Sequence, residues 1–281
     1  MRRGTAGLSA TIAAALALAG CASAMRHEIY QADATPVDIS RWTRAAPTPL
    51  IVRTQDGLSL TGYQWPGDPA DHDVILFFHG RGSNQGIAAR YAEYLTGHGD
   101  HVIAVSYRGF GGNPGKPTQA GLVADGRAFV AKARSIAGPD ARIYLVGHSL
   151  GGAVALHVAA TAPVAGVITL STFDKLEESA PAGMGALIPD KWNNLDAATK
   201  IHAPLVMMLG TADKRVAMTQ GDALFATARP PATFVTIGDA GHNPDMARIG
   251  PLVTSAVEAM DSGALARWPD ALPPGWSVRR K

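Results

Sequence analysis

Apolar residues along this chain gather into short, nearly unbroken runs separated by amphipathic stretches. Val74 to Phe78 reads VILFF, and the segments Ile143 to Val146, Val164 to Leu170, Pro204 to Gly210 and Thr233 to Ile237 have the same character. Runs of this kind fit strands covered on both faces of a parallel sheet. Between them the spacing changes to that of helices: Ile87, Tyr91 and Leu95 fall on one face, and Thr118 to Ala137 turns Leu122, Phe129 and Val130 inward before Gly138-Pro139 stops it. Further helices are expected from Ser149, over Thr219 to Ala228 and over Asp245 to Met260, and a further strand over His101 to Tyr107. Two extended segments, Thr48 to Arg53 and Leu58 to Trp65, flank Gln55-Asp56-Gly57 and predict an antiparallel hairpin at the entry to the sheet. This alternation predicts an α/β fold, a mostly parallel twisted sheet with helices on both faces, with the functional site at the carboxyl ends of its strands.

The ends of the chain follow other rules. Arg2 and Arg3 precede an apolar stretch from Ala6 to Ala19 that is too short to span a membrane comfortably, and Leu18-Ala19-Gly20-Cys21 follows. That order reads as an export signal over residues 1–20. It resembles the bacterial lipoprotein signal peptide, which implies cleavage before Cys21 and acylation of that cysteine, with the protein anchored in the cell envelope and facing the periplasm, the outer membrane being favoured. A plain secretory signal cut after Ala22-Ser23-Ala24 is the alternative. Residues 21–47 are polar and aperiodic and suit a tether; the main domain is expected over 48–261, with a tail over 262–281. The connection over about 171–203 is far longer than an ordinary α/β loop and is expected to form a small lid. From Ser179 to Ile188 it is mostly Ala, Gly and Pro, and Met184, Leu187, Ile188 and Trp192 are expected as its bulky apolar contributors to a lid.

Charge narrows the partners. Twenty-five basic and 23 acidic residues give +2, and removal of Arg2 and Arg3 would balance the rest, so there is no electrostatic footprint for nucleic acid. Cys21 is the one cysteine, which leaves no intrachain disulfide and no zinc-type spacing to expect.

The candidate chemistry centres on Ile143 to Gly152, IYLVGHSLGG, where a strand runs into G-x-S-x-G and then into an alanine-rich helix. A strand that turns into a helix within one residue strains the serine backbone and exposes its hydroxyl, so Ser149 is the candidate nucleophile. Side chains at positions 147 and 151 would collide across such a turn. The new helix aims its free N–H groups at a developing oxyanion, with the Leu150 N–H as first donor. The second donor is expected from the loop after VILFF, His79 to Asn84, at the Arg81 N–H; the Arg81 side chain either faces solvent or meets an acidic group of a substrate. A serine needs a base and the base an orienting acid. His242, in Gly238 to Asn243 after the last predicted strand, is the base. The acid is assigned to Asp213, after the preceding strand, over Asp174.

With His79-Gly80, the elbow, the acid loop and Ala240-Gly241-His242 in this order, the chain is identified as a member of the α/β-hydrolase superfamily over about Ile51 to Met260. It is most similar to the small-lid serine hydrolases of the depalmitoylase-like, membrane-associated group. Tyr107 to Gly111 (YRGFG), Gly115-Lys116-Pro117 and Gly152 to Ala155 carry that likeness, while Ser106, Asn113 and Arg81 depart from it. The resemblance implies hydrolysis of an ester, thioester or amide through an acyl-enzyme, with no cofactor and no metal. A small lid favours short-chain carboxylic esters; a thioesterase or lipase acting at the membrane, and a noncatalytic binding protein on the same fold, are the alternatives.

Overall fold

The computed structural model describes residues 20–40, 42, 45–179, 185 and 188–281. The signal-peptide reading of the first nineteen positions, and Met184 and Leu187 of the lid, lie outside the described residues. In chain order the elements are α1 (20–30), β1 (Thr48–Arg53), β2 (Ser59–Trp65), β3 (Asp73–Phe78), α2 (Gln85–Ala92), β4 (His101–Ala104), α3 (Gln119–Ala137), β5 (Arg142–His148), α4 (Leu150–Ala159), β6 (Gly166–Leu170), α5 (Asn194–Lys200), β7 (Leu205–Gly210), α6 (Met218–Thr227), β8 (Ala232–Ile237), α7 (Met246–Asp261) and β9 (Ser277–Arg280). The strands form one sheet of order β1-β2-β4-β3-β5-β6-β7-β8-β9. From β4 to β8 neighbours run parallel; β1 with β2, β2 with β4, and β8 with β9 are antiparallel.

The unbroken apolar runs have the predicted cause. All six residues of β3 are buried, and alternate ones belong to different cores. Val74, Leu76 and Phe78 pack on the side of Phe129, Val154 and Leu156 from α3 and α4. Ile75 and Phe77 pack on the opposite side with Ala88 and Ala89 of α2 and Val253 and Val257 of α7. Thr118, Asn84 and Asp245 cap α3, α2 and α7 by accepting hydrogen bonds from early helix N–H groups, which fixes where those helices begin.

Three boundaries differ from expectation. Strand β4 ends at Ala104, because the segment after it is drawn over the strand ends: Ser106 Oγ donates to Gln85 Oε1 at 2.9 Å and the Tyr107 hydroxyl donates to the His79 carbonyl at 3.1 Å. The same loop is held by Arg108, whose guanidinium bonds both the fully buried Asp125 and Asp56 of the β1-β2 turn, while Asn113 exchanges hydrogen bonds with the backbone of Thr61. Ser106 and Asn113 therefore serve loop packing.

The tail is part of the sheet. Strand β9 pairs with β8 and covers an edge whose N–H and C=O groups would otherwise be open. The Arg279 guanidinium lies 4.7 Å from the centre of the Phe234 ring. Nor do the described residues between 21 and 47 behave as a tether. Tyr30 is completely buried, Asp33 accepts a 2.7 Å bond from Gly111 N–H at its carbonyl, and Trp42 packs 6.2 Å from Trp65 between ring centres. The folded body thus extends beyond 48–261 at both ends.

Candidate active site

Strand β5 enters α4 through Ser149, whose backbone sits at φ 55° and ψ −118°. This is a conformation that residues with a Cβ rarely adopt, and it turns the side chain outward above the sheet. Glycines make the turn possible. A Cβ on Gly147 would strike the carbonyl of Gly151, and one on Gly151 would strike the carbonyls of Phe78 and His79. The collision expected between positions 147 and 151 is therefore real for the first and directed at β3 for the second. Ser149 N–H donates to Leu170 O at 2.8 Å, fastening the turn to β6.

Two neighbouring loops bring the other side chains to the serine. The loops after β7 and β8 are sewn together: Thr211 N–H bonds Ile237 O at 3.0 Å, Ala212 N–H bonds Ala240 O at 2.9 Å, and Asp239 N–H bonds Thr211 Oγ1 at 2.9 Å. Only glycine fits at position 210, where a Cβ would overlap the Ala240 carbonyl. This zipper sets Asp213 beside His242. His242 Nδ1 lies 2.9 Å from Asp213 Oδ2, and His242 Nε2 lies 3.0 Å from Ser149 Oγ. With the carboxylate facing Nδ1, the proton belongs on Nδ1 and Nε2 is left to accept from the serine hydroxyl.

The Asp213 side chain is 0% exposed. Burial pushes its carboxyl upward, but the His242 contact and the N–H groups of Val216 and Arg215 outweigh that and hold it at about 2. Asp174 is engaged elsewhere: its carboxylate accepts from Lys175 N–H and from Gln220 Nε2 of α6. Of the two acids considered, the structure brings Asp213 and not Asp174 to His242.

His148, which the motif reading treated only as part of the turn, has a role of its own. Its Nε2 donates to the backbone carbonyl of His242 at 2.9 Å, so the residue before the serine holds the loop that carries the histidine. Burial lowers His148 to about 4, which keeps it neutral. The available signal was its position, since the side chain beside the nucleophile must emerge at the carboxyl edge of the sheet.

Arg81 and Leu150 border the same cavity as Ser149 and His242, a space of about 390 Å³. As the first residue of α4, Leu150 has an N–H with no partner within the helix. The loop of Gly80 and Arg81 approaches closely: a Cβ on Gly80 would lie 3.4 Å from Ser149 Cβ. Arg81 itself is exposed. Phe173, Leu176 and Ile188 of the lid segment and Val216 after β7 supply apolar wall. Trp192 does not; it is fully buried away from the cavity, edge-on to His157 at 5.3 Å between ring centres. Glu28 and Ile29 of α1, which no sequence pattern marked, complete the wall.

Comparison with known proteins agrees with this architecture. A family model described as serine aminopeptidase, S33, matches residues 69–195, a span that holds the elbow and ends before Asp213 and His242. An uncharacterized protein of Mycobacterium tuberculosis is 32% identical over 228 residues, covering 79% of this chain and 81% of that protein. The alpha/beta hydrolase domain-containing protein 17B of Homo sapiens is 28% identical over 184 residues, 60% of each chain. Among solved structures, an alpha-beta hydrolase from Vibrio vulnificus superposes with a TM-score of 0.69 at 19% identity, covering 84% of this chain and 92% of that one. An esterase from Pyrococcus furiosus superposes with a TM-score of 0.66 at 18% identity, covering 84% and 98%. The chain belongs to the α/β-hydrolase family.

The backbone strain at Ser149 can be measured without any substrate. Replacement by Gly removes the Cβ from a conformation costing about 1–3 kcal/mol, whereas Ser149→Ala keeps it. We expect Ser149→Gly to melt ~2–4 °C above Ser149→Ala, the shift that roughly 1 kcal/mol gives in a chain of this size. Equal melting temperatures would mean that the turn is unstrained.

Proposed function

We propose that the protein is a serine hydrolase that cleaves short-chain carboxylic esters through an acyl-enzyme. The observation that carries this is the hydrogen-bonded series Asp213, His242, Ser149, at 2.9 and 3.0 Å, opening directly on a cavity. In the reaction Ser149 Oγ attacks the ester carbonyl while His242 Nε2 takes its proton, and the negative charge formed on the carbonyl oxygen is met by the N–H groups of Leu150 and Arg81. His242 then returns the proton to the departing alcohol. A water molecule, deprotonated by the same nitrogen, attacks the acyl-serine and releases the acid. Asp213 holds the imidazole in the required tautomer and balances its charge when it is protonated. The esterase among the structural neighbours is in keeping with this chemistry, although its likeness is one of fold.

Chain length follows from volume. A cavity of about 390 Å³ stands near the lower end of the roughly 300–1,000 Å³ typical of small-molecule sites. It covers the first carbons of an acyl group, and a longer chain gains nothing beyond them.

The protein is further proposed to be held in a bacterial envelope by acyl chains on Cys21. The Leu18 to Cys21 box supports this, as does the exposure of Cys21 at the start of α1. No helix among the described residues is long and apolar enough to cross a membrane. Since 28 − 21 = 7 residues of helix rise about 10 Å, an anchored Cys21 would keep the cavity near the lipid surface.

Two measurements test these proposals. Across an ester series from acetyl to palmitoyl, kcat/KM should be highest for short acyl groups; Asp213→Asn should lower kcat by two or more orders of magnitude throughout, and Asp174→Asn by less than threefold. A steady rise toward palmitoyl would favour a lipase or thioesterase, and a reversed ranking of the two aspartates would reject the triad. For the anchor, mass spectrometry of the mature N-terminus should find acylated Cys21, and a free thiol or cleavage after Ala24 would refute it.

A further inference from the structure

The segment from Arg26 to Val37 does not simply cover the surface; it joins the two loops that flank the cavity. Tyr30 makes the connection from both ends of the residue. Its carbonyl accepts a 3.0 Å hydrogen bond from Gly82 N–H, one residue beyond the Arg81 amide. Its hydroxyl, fully buried, donates to Asp190 Oδ2 at 2.9 Å and receives Trp192 Nε1–H at 3.3 Å, both from the far side of the lid segment. Arg26 closes the cluster with a 2.9 Å bond from Nε to the same Asp190 oxygen. Immediately before Tyr30, Glu28 and Ile29 face the cavity that holds Ser149 and His242. Downstream, Asp33 O holds Gly111 N–H, and Val37 packs so tightly on Gly86 that a Cβ there would overlap it.

A buried phenol whose oxygen both donates and accepts resists displacement, because breaking either bond strands a polar group out of water. Gly82 lies at φ +60°, within the wide conformational freedom of glycine, so a bond from outside the loop is what limits the direction of its amide. The Tyr30 carbonyl supplies that anchor. Ile29 meanwhile places a branched apolar side chain in the wall of the cavity on which Ser149 opens.

We propose that this N-terminal strap is a working part of the active site: Tyr30 is a positioning residue for the Gly80 to Gly82 loop, and Ile29 is a wall that limits the acyl group. The proposal rests on the serine-hydrolase reading for Ile29, whereas the Tyr30 half stands on the loop contact alone.

The test uses the full mature chain. Ile29→Ala should raise the ratio of kcat/KM for hexanoyl over acetyl esters at least fourfold, about the factor that one newly covered methylene contributes. Ile29→Trp should lower the same ratio, and both variants should melt close to wild type. Tyr30→Phe keeps the ring and loses the bonds to Asp190 and Trp192; it should lower kcat with little change in KM and speed hydrogen exchange at Gly82 at least tenfold. An acyl preference unmoved in both Ile29 variants overturns the wall, and unchanged Gly82 exchange in Tyr30→Phe overturns the positioning. Wild-type hydrolysis that survives Ser149→Ala, or none at all, would count against the serine-hydrolase reading and would remove the Ile29 arm with it. The Gly82 exchange result would still decide the role of Tyr30.

Discussion

The site depends on one constraint: a buried strand must become a helix at a single residue. That demand explains the elbow glycines, each facing backbone where a Cβ would collide, and it explains why Ser149 has a left-handed φ. It also explains where the other groups come from. A serine raised above the carboxyl edge between β3 and β6 is reached by loops leaving the same edge, among them those after β3, β6, β7 and β8. The parallel sheet delivers the parts; the turn decides which of them meet.

What holds the meeting in register is a second layer of contacts. The zipper of Thr211 and Ala212 against Ile237 and Ala240 sets the separation of the acid and the histidine, and His148 grips the His242 carbonyl from below. Asp213 accepts N–H groups from its own loop as well as facing the imidazole, so its carboxylate is fixed before any substrate arrives. On the other side of the serine the strap does comparable work for the Gly80 to Gly82 loop. Stability and geometry are thus supplied by the same hydrogen bonds.

Features that were local in the chain could be read from it. The strands announced themselves as apolar runs, the helices as amphipathic spacing such as that from Thr118 to Ala137, and the elbow as glycines around a serine. Choosing Asp213 over Asp174 needed only the rule that the acid precedes the histidine by one strand. The strap and β9 were not legible, for a physical reason. Tyr30 is buried by Asp190 and Trp192, more than 150 positions away, and the alternation of a short polar segment carries no trace of such a partner. Ser277 to Arg280 is mostly exposed, so β9 exists because β8 offered an open edge, not because its own residues are strand-like. Trp192 misled for the related reason that a bulky residue in a lid segment can be turned either toward the cavity or into the body.

The central claim is that Ser149 is an activated nucleophile because His242 and Asp213 make it one. Treatment of the purified protein with a fluorophosphonate, followed by intact mass and peptide mapping, tests it most directly. Stoichiometric modification confined to Ser149, absent in Ser149→Ala and slowed at least a hundredfold in His242→Ala, is the expected result. A wild-type protein that resists the reagent, or one labelled equally well without His242, would contradict it.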